Sequence, residues 1–419
     1  MSCSCSRRDF LARGFYGIGL GAGLPLFLTR TSAALTAQAL QGTSLEKHPE
    51  RILLVLELSG GNDGLNTVVP YSDAAYYRAR PTIGIRDRDV LKVSDHFGFH
   101  PSMVGFERLY KDGRMAVVHG CGYEHPSLSH FSSMSYWHTG MPNAGEPLGW
   151  LGRLADDHLN PATRNLIVNI GTSQSLAVRS GRHSPLVFDD PARFRRDGTD
   201  DEKHVMGTFG ETRPASNSSN STLDFLAATA RNAADSSDFV RQASAAYRTP
   251  VDYGIGNAFG GGLQRVAALI AAGMKTRLYY VTYQGNSFDT HVQQGDVHSR
   301  LLMYTADAVR AFMDDIARIG RADDVAVMMF TEFGRRVEEN GSLGTDHGTA
   351  TPMFLFAKHD HITGGFHGQP PSVTDLDDGN LKMTTDFRRV YATAIKEWLG
   401  YNDTETVLKG RFDTLGAFA

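Results

Sequence analysis

RILLVLEL at 51–58, followed by SGGND at 59–63, decides the fold. The apolar residues of this run are continuous rather than alternating. Both faces of the segment must therefore be covered, as in an interior strand of a parallel sheet. Gly60 and Gly61 then let the chain turn sharply, which brings Asn62 and Asp63 to the mouth of the strand.

Working outward, the same kind of run returns as RMAVVHG (114–120), NLIVNIG (165–171), RLYYVTY (277–283), VAVMMFTEF (325–333) and PMFLFA (352–357). Helical spacing alternates with them. Val297, Leu301, Tyr304, Ala308, Phe312, Ile316 and Ile319 form one stripe; Phe387, Val390, Tyr391, Ala394, Ile395 and Trp398 form another. Alternating strand and helix predict an α/β fold: a doubly wound, mostly parallel sheet with helices on both faces. Residues 40–419 read as one such domain. Its least regular part, about 185–260, holds insertion or cap elements around a polar stretch without period at 197–222.

The chain opens SRRDFLAR, with Arg7 and Arg8 paired before an uncharged, glycine-broken stretch from Gly14 to Leu28 and a small-residue site at Ala37-Gln38-Ala39. This is the layout of a twin-arginine signal peptide over residues 1–39. It predicts transport by the twin-arginine translocase to the periplasm or beyond. No later segment is apolar enough to span a membrane. Cys3 and Cys5 fall in the leader, so the mature chain keeps only Cys121 and can form no internal disulfide. The net charge of -4 becomes more negative without the leader, which speaks against a nucleic-acid partner.

Ligands bind at the carboxyl ends of parallel strands, and four loops there carry polar side chains. SGGNDGLN (59–66) offers Asn62 and Asp63, although a plain helix-capping turn reads equally well. HPSLSHFSSMSYWHTG (125–140) offers Ser129, His130 and Ser132; a serine there is a helix N-cap or, beside a metal or base, a nucleophile. YQGNSFDTHVQQ (283–294) places Asp289 and His291 two apart, on one face of an extended segment, as two ligands or as a hydrogen-bonded pair. TEFGRRVEENGSLGTDHGTATPMF (331–354) offers Glu332 and then Asp346-His347, with Gly344 and Gly348 to bend the loop. Mixed carboxylate and imidazole donors suit one or two Zn²⁺, Mn²⁺ or Fe²⁺ ions before Ca²⁺ or Mg²⁺. Two ions about 3.5–4 Å apart clamp the oxygens of an ester in displacement. Arg335 or Arg336 could hold the remaining ester oxygens; both could equally be solvated or paired with Glu338 and Glu339.

SRRDFL, LELSGGNDGLNTVVPY, SHFSSMSYWHTG, FDTH, TEFGRRVEENGSLGTDHGTATPM and DFRRVYATAIKEWLG, in this order, resemble the secreted bacterial family known as domain of unknown function 1501. That family is similar in fold to the alkaline phosphatase superfamily, which includes sulfatases and cofactor-independent phosphoglycerate mutases. The resemblance implies a two-metal site at the strand ends. It places Asp63 as the first metal-ligating aspartate and Asp346-His347 as a ligand pair. Asp289 and His291 stand closer in sequence than the corresponding pair of the superfamily. A last histidine is represented by His367, with His359 and His361 nearby. Glu124 and Leu128 around Pro126 depart from the formylglycine signature of sulfatases. The implied activity is therefore an exported, metal-dependent hydrolase of phosphate or related small esters. The alternative is a non-catalytic secreted binding or assembly protein that retains the fold.

Overall fold

The computed structural model describes residues 48–160, 163–194, 235–254 and 256–419. The expected leader with Arg7 and Arg8, and the polar stretch at 197–222, lie outside the described residues.

The central strand is β1 (Ile52–Leu58). Around it stand β2 (Met115–Gly122), β3 (Ile167–Ile170), β4 (Leu186–Phe188), β5 (Leu278–Tyr283), β6 (Val325–Phe330), β7 (Thr351–Phe356), β8 (Gly365–His367) and β9 (Thr385–Asp386). Their order is β8-β2-β7-β6-β1-β5-β3-β4, with β9 also on β2. Each pairing is parallel except the two made by β7, which runs against β6 and β2. The sheet is thus mostly parallel, as its apolar runs require. The short edge strands β4, β8 and β9 have no counterpart among those runs, because so few residues show no period.

Every residue of β1 is buried. Leu54 and Leu56 face one core, with α1 (Val104–Lys111), α4 (Ala258–Ala271) and α5 (Gln294–Arg318); Leu53 and Val55 face the other, with α2 (His130–Thr139), α3 (Trp150–His158) and α6 (Phe387–Thr393). Helices therefore cover both faces. Each leucine or valine so buried contributes about 1.5–3 kcal/mol, which is why β1 needs no alternation. Glu57 is the exception on its face. It is buried and joined to His138 of α2 (2.7 Å) and to the Tyr280 hydroxyl of β5, which satisfies the charge that the core would otherwise exclude. Cys121 is buried in β2, in register with Thr351 and Thr385. No helix among the described residues is long and apolar enough to cross a membrane.

Candidate metal centre

The parallel direction of β1, β2, β5 and β6 sends the loops after them to one rim. Because β7 is reversed, the segment before it, with Asp346 and His347, reaches the same rim. The loops fit closely. Gly60 has φ +121°, and a Cβ there would lie 2.5 Å from the Asp289 nitrogen. Gly344 and Gly348, expected to bend the 331–354 loop, instead permit close approach: a Cβ would stand 2.2 Å from the His291 carbonyl oxygen and 2.4 Å from the Arg335 carbonyl carbon, respectively.

At the rim the imidazoles of His130, His347 and His291 gather around the carboxylate of Asp289. His130 Nδ1 is 2.8 Å from Glu332 Oε1. Its Nε2, 3.3 Å from Asp289 Oδ2, lacks hydrogen-bond alignment and has no other partner. His347 Nδ1 is 2.8 Å from the Leu128 carbonyl, and its Nε2 is 3.1 Å from Asp289 Oδ1. His291 Nε2 is 2.9 Å from the same oxygen and 3.0 Å from His347 Nε2. One ligand atom each from His130, Asp289 and His347 lies within 4.8 Å of the others.

A carbonyl only accepts, so His347 Nδ1 carries the proton that it donates to Leu128. Burial lowers the His347 pKa, which favours the neutral ring, and its Nε2 then presents a lone pair to an anionic oxygen. Burial raises the pKa of Asp289, but the hydrogen bond and charge of Arg335 outweigh it and hold it at about 2. The Nε2 atoms of His130 and His347 and the Asp289 carboxylate lie close enough together for one cation to be shared among them. The donor set of two or three imidazoles and one carboxylate suits Zn²⁺ or a similar transition metal. Each of the two fixed histidines has its other nitrogen held by a carboxylate or carbonyl, the usual outer support of a metal-binding imidazole. For His130 that hydrogen bond, accepted by Glu332, raises the pKa against the effect of burial.

Other expected site residues are placed differently. Asp63 is fully buried in an ion pair with Arg80 (2.6 Å), accepts from Gln294, and caps the turn Gly64–Thr67; its carboxylate faces inward, away from the rim. Asn62 is also turned in, donating to Thr67 and meeting His298 Nε2 at 2.8 Å. Arg335, expected to hold ester oxygens, is buried with its donors committed to the carbonyls of Gly60, Gly61, Phe288 and Thr345 and to Asp289 (2.6 Å). It clamps the loops instead. Asp346 diverges from His347, as adjacent side chains of an extended chain do; it is exposed and reaches only Asn340 and His291 Nδ1 (3.4 Å). His367 lies within edge strand β8, bonded to the Thr363 carbonyl. Glu332 accepts from the Gly60 N–H as well as contacting His130, and so stands behind the ligands. Ser129 is the exposed N-cap residue of α2 without a side-chain cap bond, and Ser132 is half-buried. The buried serine of this helix is Ser133, which donates to the Glu332 carbonyl.

Arg80, Gln294 and the Leu128 carbonyl went unread in the sequence. Arg80 sits in an unremarkable AAYYRARP segment, and a backbone carbonyl has no side-chain signature at all.

The family described as protein of unknown function (DUF1501) matches residues 50–409. No curated protein matches the chain. Among solved structures, the sulfatase PsFucS1 from Pseudoalteromonas sp. is 12% identical, covers 93% of this chain and 74% of its own, and has a TM-score of 0.39. A protein in the alkaline phosphatase superfamily from Vibrio parahaemolyticus is 9% identical, with coverage of 91% and 77% and a TM-score of 0.38. The lipoteichoic acid synthase LtaP from Listeria monocytogenes is also 9% identical, with 92% and 82% covered and a TM-score of 0.38. At such scores the fold rests on the sheet itself.

Proposed function

The chain belongs to the DUF1501 family, and from that premise and the geometry of its rim we propose that it is an exported, metal-dependent hydrolase of phosphate or related esters. The observation that carries this reading is the gathering of one ligand atom each from His130, Asp289 and His347 within 4.8 Å of one another, with the buried His130 Nε2 lacking a hydrogen-bond partner. His130, Asp289 and His347 would hold a Zn, Mn or Fe ion, with His291 adjoining. Such an ion polarises an ester oxygen and makes a strong nucleophile of water at neutral pH. Glu332 orients the His130 ring and the Leu128 carbonyl fixes the His347 tautomer. Arg335 keeps Asp289 ionised and in place. Among the described residues no base contacts the exposed Ser129 hydroxyl.

A second reading, a non-catalytic binding protein, is favoured by the Asp63–Arg80 pair, which removes one implied ligand from the rim. Metal analysis with an ester panel separates the two. The hydrolase reading expects bound transition metal and turnover, both lost in His347→Ala and Asp289→Ala. Metal without turnover of any ester leaves the binding role, and a folded chain that takes up no metal removes the centre. We also assign its work to the periplasm or beyond, through the twin-arginine translocase. Replacing Arg7 and Arg8 by lysine should leave the protein in the cytoplasmic fraction; unchanged export would overturn that assignment.

A further inference from the structure

A cavity of about 350 Å³ is separate from the metal centre: none of His130, Asp289, His291 or His347 borders it. Leu65, Val68, Phe97 and Pro352 line it, together with His119 of β2 and Thr351 of β7. Its walls meet closely at Gly64, where a Cβ would stand 2.5 Å from Pro352 Cδ and 3.4 Å from Thr351 Oγ1. The size is within the range of small-molecule sites, and such sites are mostly apolar with a few placed polar groups.

The polar side chains of the cavity fall into two kinds. Ser72 and His96 bond to each other (3.2 Å), and Asp73 accepts from the Ala75 N–H (2.8 Å). Ser372 accepts from the Thr374 and Asp375 N–H groups. Arg335 is committed to four carbonyls and Asp289. Only His119 and Thr351 are without a hydrogen-bond partner among the described residues. Thr351 Oγ1 is wholly enclosed and unpartnered. His119 is 5% exposed and meets only rings: Phe366 stacked at 4.9 Å and Phe97 tilted at 4.7 Å. Burial lowers its pKa to about 4, with no charge or hydrogen bond beside it, so the ring is neutral and offers one donor and one acceptor. Its nitrogens are unbonded yet not wholly enclosed, so the cavity that His119 lines is the space they open to. A buried polar group left without a partner is costly, and a ligand that supplies the partner removes that cost.

From this geometry we infer a second binding site, for a small uncharged ring compound bearing one hydroxyl, such as a phenol, with its ring against Leu65, Val68 and Phe97 and its hydroxyl at His119. A hydroxyl both donates and accepts, so it satisfies whichever imidazole nitrogen faces it. An aromatic ring extends the Phe97–His119–Phe366 cluster in the tilted contacts that such rings prefer. A charged ligand would find no free countercharge, because Arg335 is engaged and the exposed Asp73 caps its own helix.

Ligand-observed NMR titration of the full chain with 4-ethylphenol, ethylbenzene and 4-ethylbenzoate tests the site. The phenol should bind about threefold to tenfold more tightly than ethylbenzene, and the benzoate least tightly. His119→Phe should bring phenol and ethylbenzene to equal affinity, whereas metal-free Asp289→Ala should bind both as the native chain does. The nitrogen-15 signals of the His119 ring should move with the phenol and not with ethylbenzene, a readout that serves even where His119→Phe fails to fold. Absence of phenol binding, equal affinity of the native chain for phenol and ethylbenzene, or tightest binding of the benzoate overturns the inference. A phenol preference that survives in folded His119→Phe, or ring signals that the phenol leaves unmoved, overturns the place of the hydroxyl. Binding lost in folded Asp289→Ala assigns the ligand to the metal centre and overturns the second site, whatever the fate of the hydrolase reading.

Discussion

Asp63 and His347 show how two candidate ligands part company at the level of single side chains. Asp63 is joined to Arg80 where neither side chain is exposed. Removing one member strands a buried charge, so Asp63→Ala should lower stability by about 3–5 kcal/mol in denaturant melts. The folded fraction should retain its metal. A fall in metal content with unchanged stability would make Asp63 a ligand after all. The histidines give a pH dependence. Glu332 raises the His130 pKa by its hydrogen bond, against burial, so in the metal-free protein His130 contributes stability below the ordinary value of about 6.5 that is lost as pH rises through its folded pKa. Metal must displace that same proton. Affinity for Zn²⁺ or Mn²⁺, read by competition with a chelating dye, should climb as pH rises past about 6.5 and level off once the ring is neutral. Glu332→Gln should reduce affinity about 10–100-fold. His130, Asp289, His291 and His347 were legible as candidates because loops after apolar runs are where such residues serve no core. Arg335 and Asn62 were legible as positions but not as roles: a buried arginine and a solvated one have the same letter, and only the four carbonyls around Arg335 decide between them.

Between elements, the decisive join is that of the β1 and β5 loops. Gly60, with φ +121° and the Asp289 nitrogen 2.5 Å from its absent Cβ, lets one loop lie on the other. Gly60→Ala should therefore cost at least about 1–3 kcal/mol and displace Asp289. The measurable result is metal affinity lost along with thermal stability; an alanine variant that binds metal normally would show that the two loops hold Asp289 by other means. The major strands were readable because each is a continuous apolar run long enough to be covered on both sides. The direction of β7 was not, since PMFLFA reads alike both ways along the chain and only its pairing with β6 and β2 sets it. The 25-residue helix α5 was readable from its stripe because one face must meet the sheet and the other water.

For the molecule as a whole, the two apolar cores lie on opposite faces of one sheet and share β1 as their partition. Cys121 lies in that sheet, wholly buried, and burial pushes its thiol pKa far up. A chain beginning at residue 40 holds no other sulfur nucleophile of this kind. Its alkylation by a maleimide dye then becomes a stopwatch: the label enters only when β2 parts from β7 or the edge strand β9, and the rate counts those openings. Metal that tightens the rim should slow the clock, and a chain held partly unzipped for any reason would be dyed within the mixing time.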